Sequence, residues 1–160
     1  MERARHFRFR DARESDFSFA EALYLGTMEA LLLPLGDWDL EKFRARFKAQ
    51  YKIAECRVIV ADGRDIGFVQ VAETETERNI AQLHLADGYR GIGIGSKIAK
   101  DLIAGSERDG KTISLSTPRN NKAIALYKRL GFKISQDDGE SIISMARIPG
   151  SAGSPKPDET

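Results

Sequence analysis

Cysteine and histidine are nearly absent from this 160-residue chain, and their scarcity limits the chemistry that it can perform. Cys56 is the only cysteine, so the sequence holds no disulfide pair and no cysteine cluster for a metal ion. Two histidines, His6 and His84, are too few for the usual transition-metal site. We therefore expect no bound metal, and we expect Cys56, in an apolar strand, to be an inert core residue.

An excess of charge of one sign and a long hydrophobic run are also missing. The chain has 25 basic and 24 acidic residues, whereas a dedicated nucleic-acid binder normally carries a clear basic excess. No segment approaches the ~20 apolar residues of a membrane span, and no apolar run of signal-peptide length follows the arginine-rich start. We expect a cytoplasmic protein with neither a nucleic-acid nor a membrane partner.

The hydrophobic pattern predicts one α/β domain over residues 1–148, followed by a mobile tail over 149–160 that is rich in glycine, serine, proline and charge. The predicted order is a strand, two helices, two or three strands, a helix, a strand, a helix and a final strand pair. The predicted strands cover residues 6–10, 56–61, 65–73, 80–85, 111–117, 132–135 and 141–148. The final pair could present an edge to a second copy, which allows a homodimer.

The most informative segment is a glycine-rich stretch over residues 88–96, between an apolar strand and a helical pattern. Gly91, Gly93 and Gly95 leave main-chain N–H groups unshielded just before a helix whose first N–H groups have no internal partner. The helix dipole adds roughly half a positive charge at that end. This geometry favours a bound anion, with a pyrophosphate group as the first expectation. The alternative is a plain glycine turn between strand and helix.

Two common glycine patterns do not fit this segment. A P-loop requires Gly-Lys followed by Ser or Thr, but here Ser96 precedes Lys97. A dinucleotide fingerprint requires Gly-x-Gly-x-x-Gly, whereas this chain has Gly-x-Gly-x-Gly. The remaining pattern is Arg-x-x-Gly-x-Gly over residues 90–95. It resembles the pyrophosphate-binding motif of the GCN5-related N-acetyltransferase (GNAT) superfamily.

A second motif lies downstream at the spacing usual for that superfamily. Residues 120–132 read Asn-x-x-Ala-x-x-x-Tyr-x-x-x-Gly-Phe, which resembles the C-terminal motif of GNAT acetyltransferases. Ala123 and Tyr127 are four residues apart and therefore share one helix face. A plain core tyrosine would occupy the same face, but two motifs in the correct order favour the GNAT interpretation. The resemblance covers roughly residues 7–147.

The resemblance implies a GNAT fold, a three-layer α/β/α arrangement with a mixed, centrally splayed sheet. It also implies an enzyme that moves an acetyl group from acetyl-CoA directly to an amine on a small molecule or peptide. In such enzymes, Leu85 would offer its N–H to the thioester carbonyl, Asn120 would hydrogen-bond the cofactor arm, and Tyr127 would protonate the departing thiolate. The implied cofactor-binding residues are Leu85, Arg90, Gly91, Ile92, Gly93, Ile94, Gly95, Ser96, Asn120 and Tyr127.

Two other functions remain open from the sequence. A non-catalytic CoA-binding or regulatory module would keep the fold without a productive acceptor site. An unrelated α/β protein could bind another phosphate ligand at the same loop. One departure from the family pattern is Asp87, where many members have proline, because a carboxylate there is unfavourable beside an anionic cofactor. Four nearby cations could offset it: Arg90, Lys97, Arg119 and Lys122.

The acceptor amine must lose a proton before it attacks, so a base or a water chain to one is needed. Glu73 and His84, at the ends of two predicted strands, are the candidate bases, although a packed structural histidine is the more common case. The connection between the first two helices supplies Asp37, Trp38 and Asp39, which suit a cationic amine. Asp39 as a helix cap and Trp38 as a core anchor is the alternative.

Overall fold

The computed structural model describes residues 6–151, in which seven strands form one mixed sheet in the order β1-β2-β3-β4-β5-β7-β6. The order of elements along the chain confirms the predicted α/β class and its succession of strands and helices. The elements are β1 (Arg8–Asp11), α1 (Phe17–Leu32), α2 (Leu40–Gln50), β2 (Cys56–Ala61), β3 (Arg64–Glu73), β4 (Glu77–Leu85), α3 (Ile94–Asp109), β5 (Thr112–Pro118), α4 (Ala123–Arg129), β6 (Lys133–Gln136) and β7 (Ile142–Arg147).

The described residues group into two compact units. Unit 1 comprises residues 6–71 and Ala81–Gly95, and unit 2 comprises Ala72–Ile80 and residues 96–151. Each unit is described by itself below. The single domain predicted over residues 1–148 stays a prediction.

In unit 1, β2 pairs antiparallel with both β1 and β3, and two helices contribute to an aromatic core. Val58 and Ile59 are fully buried, as the continuous apolar run of a central strand predicts. The ring of Phe47 from α2 lies 4.9 Å from Tyr24 of α1 and 6.2 Å from Phe68 of β3, measured between centroids. The burial of these rings supplies a large part of the apolar stabilisation of the unit.

The helix start predicted at Asp39 is confirmed. The Asp39 side chain accepts a hydrogen bond from the Lys42 main-chain N–H at 3.1 Å, so this carboxylate satisfies one of the four unpaired N–H groups at the start of α2. Trp38 stacks on Phe43 with centroids 5.5 Å apart. Asp39 is therefore a helix cap, as the alternative interpretation predicts, whereas Trp38 is only half-buried and its role as a core anchor stays a prediction.

The first strand differs from its prediction. It begins at Arg8 rather than His6, and Phe9 is 37% exposed instead of packing inward. The neighbouring Arg10 forms the organised contact, donating two hydrogen bonds of 2.8 and 2.9 Å to the Asp16 carboxylate and pairing with Asp65 at 2.9 Å. These ion pairs hold Arg10 against the protein, so the half-buried side chain at this point of β1 is the arginine and not Phe9.

In unit 2, the start of β4 runs parallel to β5, and β7 lies antiparallel between β5 and β6. The parallel ladder begins at Glu77 and Thr112 and ends at Ile80 and Leu115, although β5 continues to Pro118. The apolar side chains of Ile113, Leu115, Ile143 and Met145 are buried along β5 and β7.

Strand β4 starts three residues before the predicted position 80 because a polar residue is buried there. Arg78 is 8% exposed and is paired with Asp109 at 2.7 Å and with Glu73 at 2.9 Å. These ion pairs compensate the desolvation of the guanidinium. The hydrophobic pattern alone assigned this segment to a turn.

The first residues of the predicted tail are held in place. Arg147 is 1% exposed, pairs with Glu107 and donates to the Leu130 carbonyl oxygen at 2.8 Å. The Gly150 N–H donates to the same Glu107 carboxylate at 2.8 Å. The rest of the predicted tail, residues 152–160, lies outside the described residues.

Candidate active site

The site residues expected from the two motifs fall in both units, and each group is described within its own unit. In unit 1, β4 ends at Leu85, where the Ala86 N–H donates to the Ile66 carbonyl oxygen at 2.7 Å. A turn follows in which the Tyr89 N–H donates to the Ala86 carbonyl oxygen at 3.1 Å. The chain then enters the glycine loop that precedes α3.

Two of the three motif glycines are required by the backbone itself. Gly91 has a φ of 74° and Gly93 a φ of 97°, in the left-handed region that residues with a Cβ rarely adopt. A Cβ at either position would meet nothing within 4 Å, so space is not the reason for glycine there. The alternation of left-handed glycines with ordinary residues is the kind of turn that points successive N–H groups towards an anion.

Gly95 is different, since it lies in the first turn of α3 and has no left-handed φ. A Cβ at this position would lie 3.7 Å from Cδ1 of Leu85, an ordinary contact. Neither conformation nor packing within unit 1 requires a glycine here. A closely approaching ligand would require one, because the first N–H groups of a helix point at the bound anion.

Arg90 is bound to the end of β4. Its Nε donates to the Leu85 carbonyl oxygen at 2.8 Å, and its Nη1 lies 3.0 Å from Oδ1 of Asp87. The guanidinium is half-exposed and Asp87 is almost fully exposed. Asp87, the departure from the family pattern, therefore has the compensating cation that its position calls for.

Two of the other three cations that the sequence suggested for the phosphates are also paired. Lys97 lies 2.8 Å from Asp101 on α3, and Arg119 lies 2.7 Å from Asp137. Arg119 also donates to the Glu140 carbonyl oxygen, which ties it to the turn between β6 and β7. Both cations therefore have structural partners in the free protein, and a role for either towards phosphate stays a prediction.

His84, one candidate base, is part of the buried face of β4. The ring is 7% exposed, with its centroid 5.4 Å from Phe68 and 5.9 Å from Tyr24. Its Nε2 lies 2.6 Å from Oε1 of Gln82, which is also buried. Burial, with a smaller contribution from the positive charge of Arg90, lowers the pKa of His84 to about 4. The imidazole is therefore neutral at pH 7.

Glu73, the other candidate base, belongs to a cluster of ion pairs in unit 2. Its Oε1 accepts hydrogen bonds from Lys111 and Arg78, both at 2.9 Å. These two donors hold the pKa of Glu73 below its ordinary value. The carboxylate is therefore a weaker base than a free glutamate, and the two candidates lie in separate clusters of side chains.

The second motif forms the start and one face of α4. The N-cap of α4 is Lys122, which makes no side-chain cap hydrogen bond, so the cap predicted at Asn120 or Asn121 is wrong by at least one position. Asn121, the residue before it, accepts a hydrogen bond at Oδ1 from the Ala123 N–H at 2.9 Å. Asn121 also donates to Oγ1 of Thr117 at 2.8 Å. Asn120 is exposed at this turn, and its role towards a cofactor stays a prediction.

Tyr127 is half-buried on α4, with its ring centroid 5.6 Å from that of Phe132. Burial raises the pKa of the Tyr127 phenol above its ordinary value of 10. The group therefore keeps its proton at neutral pH. A phenol that is protonated and half-buried has the protonation state that a general acid requires.

Three residues that contact Glu73, His84 or the end of β4 were not predicted as part of the site: Gly67, Arg78 and Gln82. Alternation along β4 could have predicted Arg78 and Gln82, because both lie on the face of the strand that Ile80 and His84 occupy. All four of these positions are buried. The signal for Gly67 was a glycine inside a strand, which marks a close approach of another backbone. A Cβ at Gly67 would lie 2.3 Å from the His84 carbonyl oxygen.

Within residues 6–151, no group of three or more His, Cys, Asp or Glu side chains could hold a metal ion. No helix in the same range is long and apolar enough to cross a membrane.

Comparison with known proteins supports the reading of both motifs. The family model for the acetyltransferase (GNAT) domain matches residues 54–134. The GCN5-like protein acetyltransferase Rv2170 of Mycobacterium tuberculosis is 40% identical over 57 residues, which are 33% of this chain and 27% of that protein. The chain thus matches about a quarter of the length of this relative.

Solved structures share the fold at low sequence identity. The PaiA N-acetyltransferase of Thermoplasma acidophilum, in complex with coenzyme A, has a TM-score of 0.70 and 18% identity over 89% of this chain and 99% of that chain. The ribosomal-protein-S18-alanine N-acetyltransferase of Escherichia coli has a TM-score of 0.60 and 18% identity over 97% and 99%. The family model spans half of the sequence and includes the glycine loop and the whole of the second motif. The chain therefore belongs to the acetyltransferase (GNAT) domain family.

Proposed function

We propose that this protein is an acetyl-CoA-dependent N-acetyltransferase that transfers the acetyl group directly to an amine. The observation that carries the proposal is the loop from Arg90 to Ser96, with two left-handed glycines and a third that nothing in its own unit requires. Family membership adds the expectation that the anion at this loop is the diphosphate of coenzyme A. The acetyl-CoA thioester, when bound, supplies the activated acyl group.

The residues of the loop fit this cofactor. Main-chain N–H groups of residues 91–96 would hold the diphosphate oxygens at the start of α3. Arg90, already at the loop, adds a positive charge whose guanidinium suits phosphate. The cofactor-arm contact of Asn120 rests on the resemblance of the second motif.

Two residues would assist the transfer. The Leu85 N–H would donate to the thioester oxygen as negative charge develops there, and a donor of this kind contributes ~3 kcal/mol in other enzymes. Tyr127 would give its proton to sulfur as the carbon–sulfur bond breaks and the carbon–nitrogen bond forms. Its raised pKa keeps that proton available at neutral pH. Such acid assistance is typically worth ~10²–10⁴ in rate.

The proton of the acceptor amine would leave through water. His84 is buried among aromatic rings and has a pKa of about 4. Glu73 accepts hydrogen bonds from two cations, Arg78 and Lys111. Neither group has the basicity of an ordinary general base at pH 7. We therefore propose that the proton passes through water to the solvent, rather than to His84 or Glu73.

The acceptor class stays broad. One structural relative is the ribosomal-protein-S18-alanine N-acetyltransferase, so peptide amines are one class of acceptor to test. Small-molecule amines are the other. The α1–α2 connection exposes Leu33 at 60% and Leu35 at 37%, and the first residue of α2, Leu40, is exposed at 41%. An acceptor with an apolar group beside its amine would suit this surface. The cytoplasmic location and the homodimer stay predictions from sequence.

Release of free CoA thiol with a panel of amines tests the proposal. We expect release that depends on an amine and yields one acetylated product per thiol, measured by mass spectrometry. The panel should contain polyamines, amino acids, aminoglycosides and short peptides with free N-termini or lysines. Tight binding of acetyl-CoA without release over the whole panel would favour the alternative, a non-catalytic CoA-binding or regulatory module.

A further inference from the structure

We infer that Gly67 is a positioning residue for acetyl transfer: its missing Cβ makes room for the peptide unit that presents the Leu85 N–H. The inference rests on the proposed function, in which that N–H is the donor to the thioester oxygen. Gly67 lies within β3, is buried in the strand's apolar run and has no left-handed φ. Backbone conformation therefore does not explain the glycine, whereas its surroundings do.

The space beside Gly67 is occupied by the end of β4. A Cβ built on Gly67 would lie 2.3 Å from the His84 carbonyl oxygen and 3.2 Å from the Leu85 Cα. Even close C–H···O contacts between strands keep carbon and oxygen ~3.3–3.6 Å apart. Since both atoms belong to the main chain, no change of side-chain rotamer can relieve the overlap. An alanine at this position must displace the His84–Leu85 peptide.

The direction of the Leu85 N–H follows from the same contact. The His84 carbonyl and the Leu85 N–H belong to one planar trans peptide unit, so they point in opposite directions. Because the carbonyl oxygen lies against Gly67, the N–H points away from that residue. The Leu85 N–H therefore points away from β3, towards the side on which a ligand could accept its hydrogen bond.

Contacts on either side hold this peptide in place. The Ala86 N–H is bonded to the Ile66 carbonyl oxygen at 2.7 Å, and the Leu85 carbonyl oxygen accepts from Arg90 at 2.8 Å. The His84 ring is fixed by Gln82 at 2.6 Å and by packing on Phe68. Because the His84–Leu85 peptide is held on both sides, it can relieve an overlap with a Cβ at position 67 chiefly by tilting. Such a tilt changes the direction of the Leu85 N–H.

The substitution Gly67→Ala tests the inference by separating catalysis from cofactor binding. We expect kcat to fall by ~10²-fold, the loss seen when one oxyanion donor is removed, while the dissociation constant for acetyl-CoA changes less than about threefold. The diphosphate loop is untouched by the change, so ground-state binding should persist. Gly26→Ala is the matched control, because Gly26 is also free of left-handed φ and its Cβ would meet nothing within 4 Å.

A spectroscopic measurement distinguishes positioning from general loss of structure. In the wild type, the Leu85 amide resonance should shift more with acetyl-CoA than with CoA, because only the former brings the carbonyl acceptor. In Gly67→Ala this acetyl-dependent shift should disappear, while the resonances of residues 91–96 respond as before. Retained kcat or a retained Leu85 shift in the variant would overturn the inference.

The wild type alone provides a test should Gly67→Ala fail to fold. Hydrogen exchange in the free protein should find the Ala86 amide protected by its bond to Ile66 and the Leu85 amide much faster to exchange. Equal protection of the two amides, or the absence of an acetyl-dependent Leu85 shift, would contradict the proposed orientation. Failure of the wild type to acetylate any amine would instead reject the proposed function.

Discussion

The Nε of Arg90 donates a hydrogen bond of 2.8 Å to the carbonyl oxygen of Leu85, the last residue of β4. The same guanidinium lies 3.0 Å from the Asp87 carboxylate. One arginine thus joins the end of the strand to the turn before the glycine loop. Since an exposed ion pair contributes little stability, its larger effect is on the charge that an incoming diphosphate meets.

Removal of the Asp87 charge should strengthen cofactor binding. In Asp87→Asn, the carboxylate that competes for Arg90 is gone, so we expect the dissociation constant for acetyl-CoA to fall about 2–5-fold at low salt. The gain should shrink in 0.5 M salt, where the Debye length is only several ångströms. Titration calorimetry at two salt concentrations measures both effects. Glu41→Gln, which removes a charge from α2, is the control, and weaker binding by Asp87→Asn would contradict the expectation.

Gly95→Ala should separate folding from binding. Alanine is the better helix former by about 1 kcal/mol and meets only Cδ1 of Leu85 at 3.7 Å, so the melting temperature should stay the same or rise. A methyl group at the first turn of α3 would obstruct a bound diphosphate, and we expect at least tenfold weaker acetyl-CoA binding. Thermal melts with and without acetyl-CoA measure both quantities. Unchanged affinity would show that no ligand approaches this turn.

The sequence predicted the order of strands and helices because the hydrophobic periods and turn residues were clear. The Asp39 cap and the buried run of Val58 and Ile59 followed directly from residue type. The start of β4 did not, since Arg78 is buried only because Glu73 and Asp109 are brought to it by the fold. A local sequence pattern does not show that Asp109, 31 residues further along the chain, lies beside Arg78.

The family predicted from the two motifs is confirmed, whereas the role of the glycine loop as a binding site stays a prediction. The motif identified Gly91, Gly93 and Gly95, but not that only the first two need a left-handed φ. Position in the strands and the ordinary pKa of a histidine make His84 and Glu73 candidate bases in the sequence. Their lowered pKa values depend on burial and on cations from other elements, which a sequence does not reveal.

The buried histidine should make stability depend on pH. The pKa of His84 is about 4 in the folded protein and ~6.5 in the unfolded chain, so only the unfolded state binds this proton between those values. The free energy of unfolding should therefore rise with pH across this window and level off above it. Between pH 5 and pH 7.5 the contribution is about 2 kcal/mol.

Urea unfolding of the wild type and His84→Gln at both pH values measures this contribution. The glutamine cannot titrate, so the variant should lose less stability than the wild type on going from pH 7.5 to pH 5. Parallel losses in the two proteins would mean that His84 keeps an ordinary pKa and is accessible to protons, which would restore it as a direct base.

Tyr127→Phe should reduce turnover without removing the cofactor. The ring and its contact with Phe132 at 5.6 Å are kept, so we expect little change in melting temperature or in acetyl-CoA affinity. Loss of the acidic proton should lower kcat by ~10²-fold or more. Thiol release under saturating acetyl-CoA measures kcat, and Tyr51→Phe, at a tyrosine of the aromatic core of unit 1 with no predicted role at the site, is the control. Unchanged turnover would remove Tyr127 from the acid role.

Calorimetric titration of the wild type with acetyl-CoA, ATP and NAD tests most directly whether the glycine loop is a site for coenzyme A. We predict one acetyl-CoA bound per chain in the micromolar range, with ATP and NAD at least tenfold weaker because neither carries the pantetheine arm. No heat with acetyl-CoA, or tighter binding of ATP or NAD, would contradict the account.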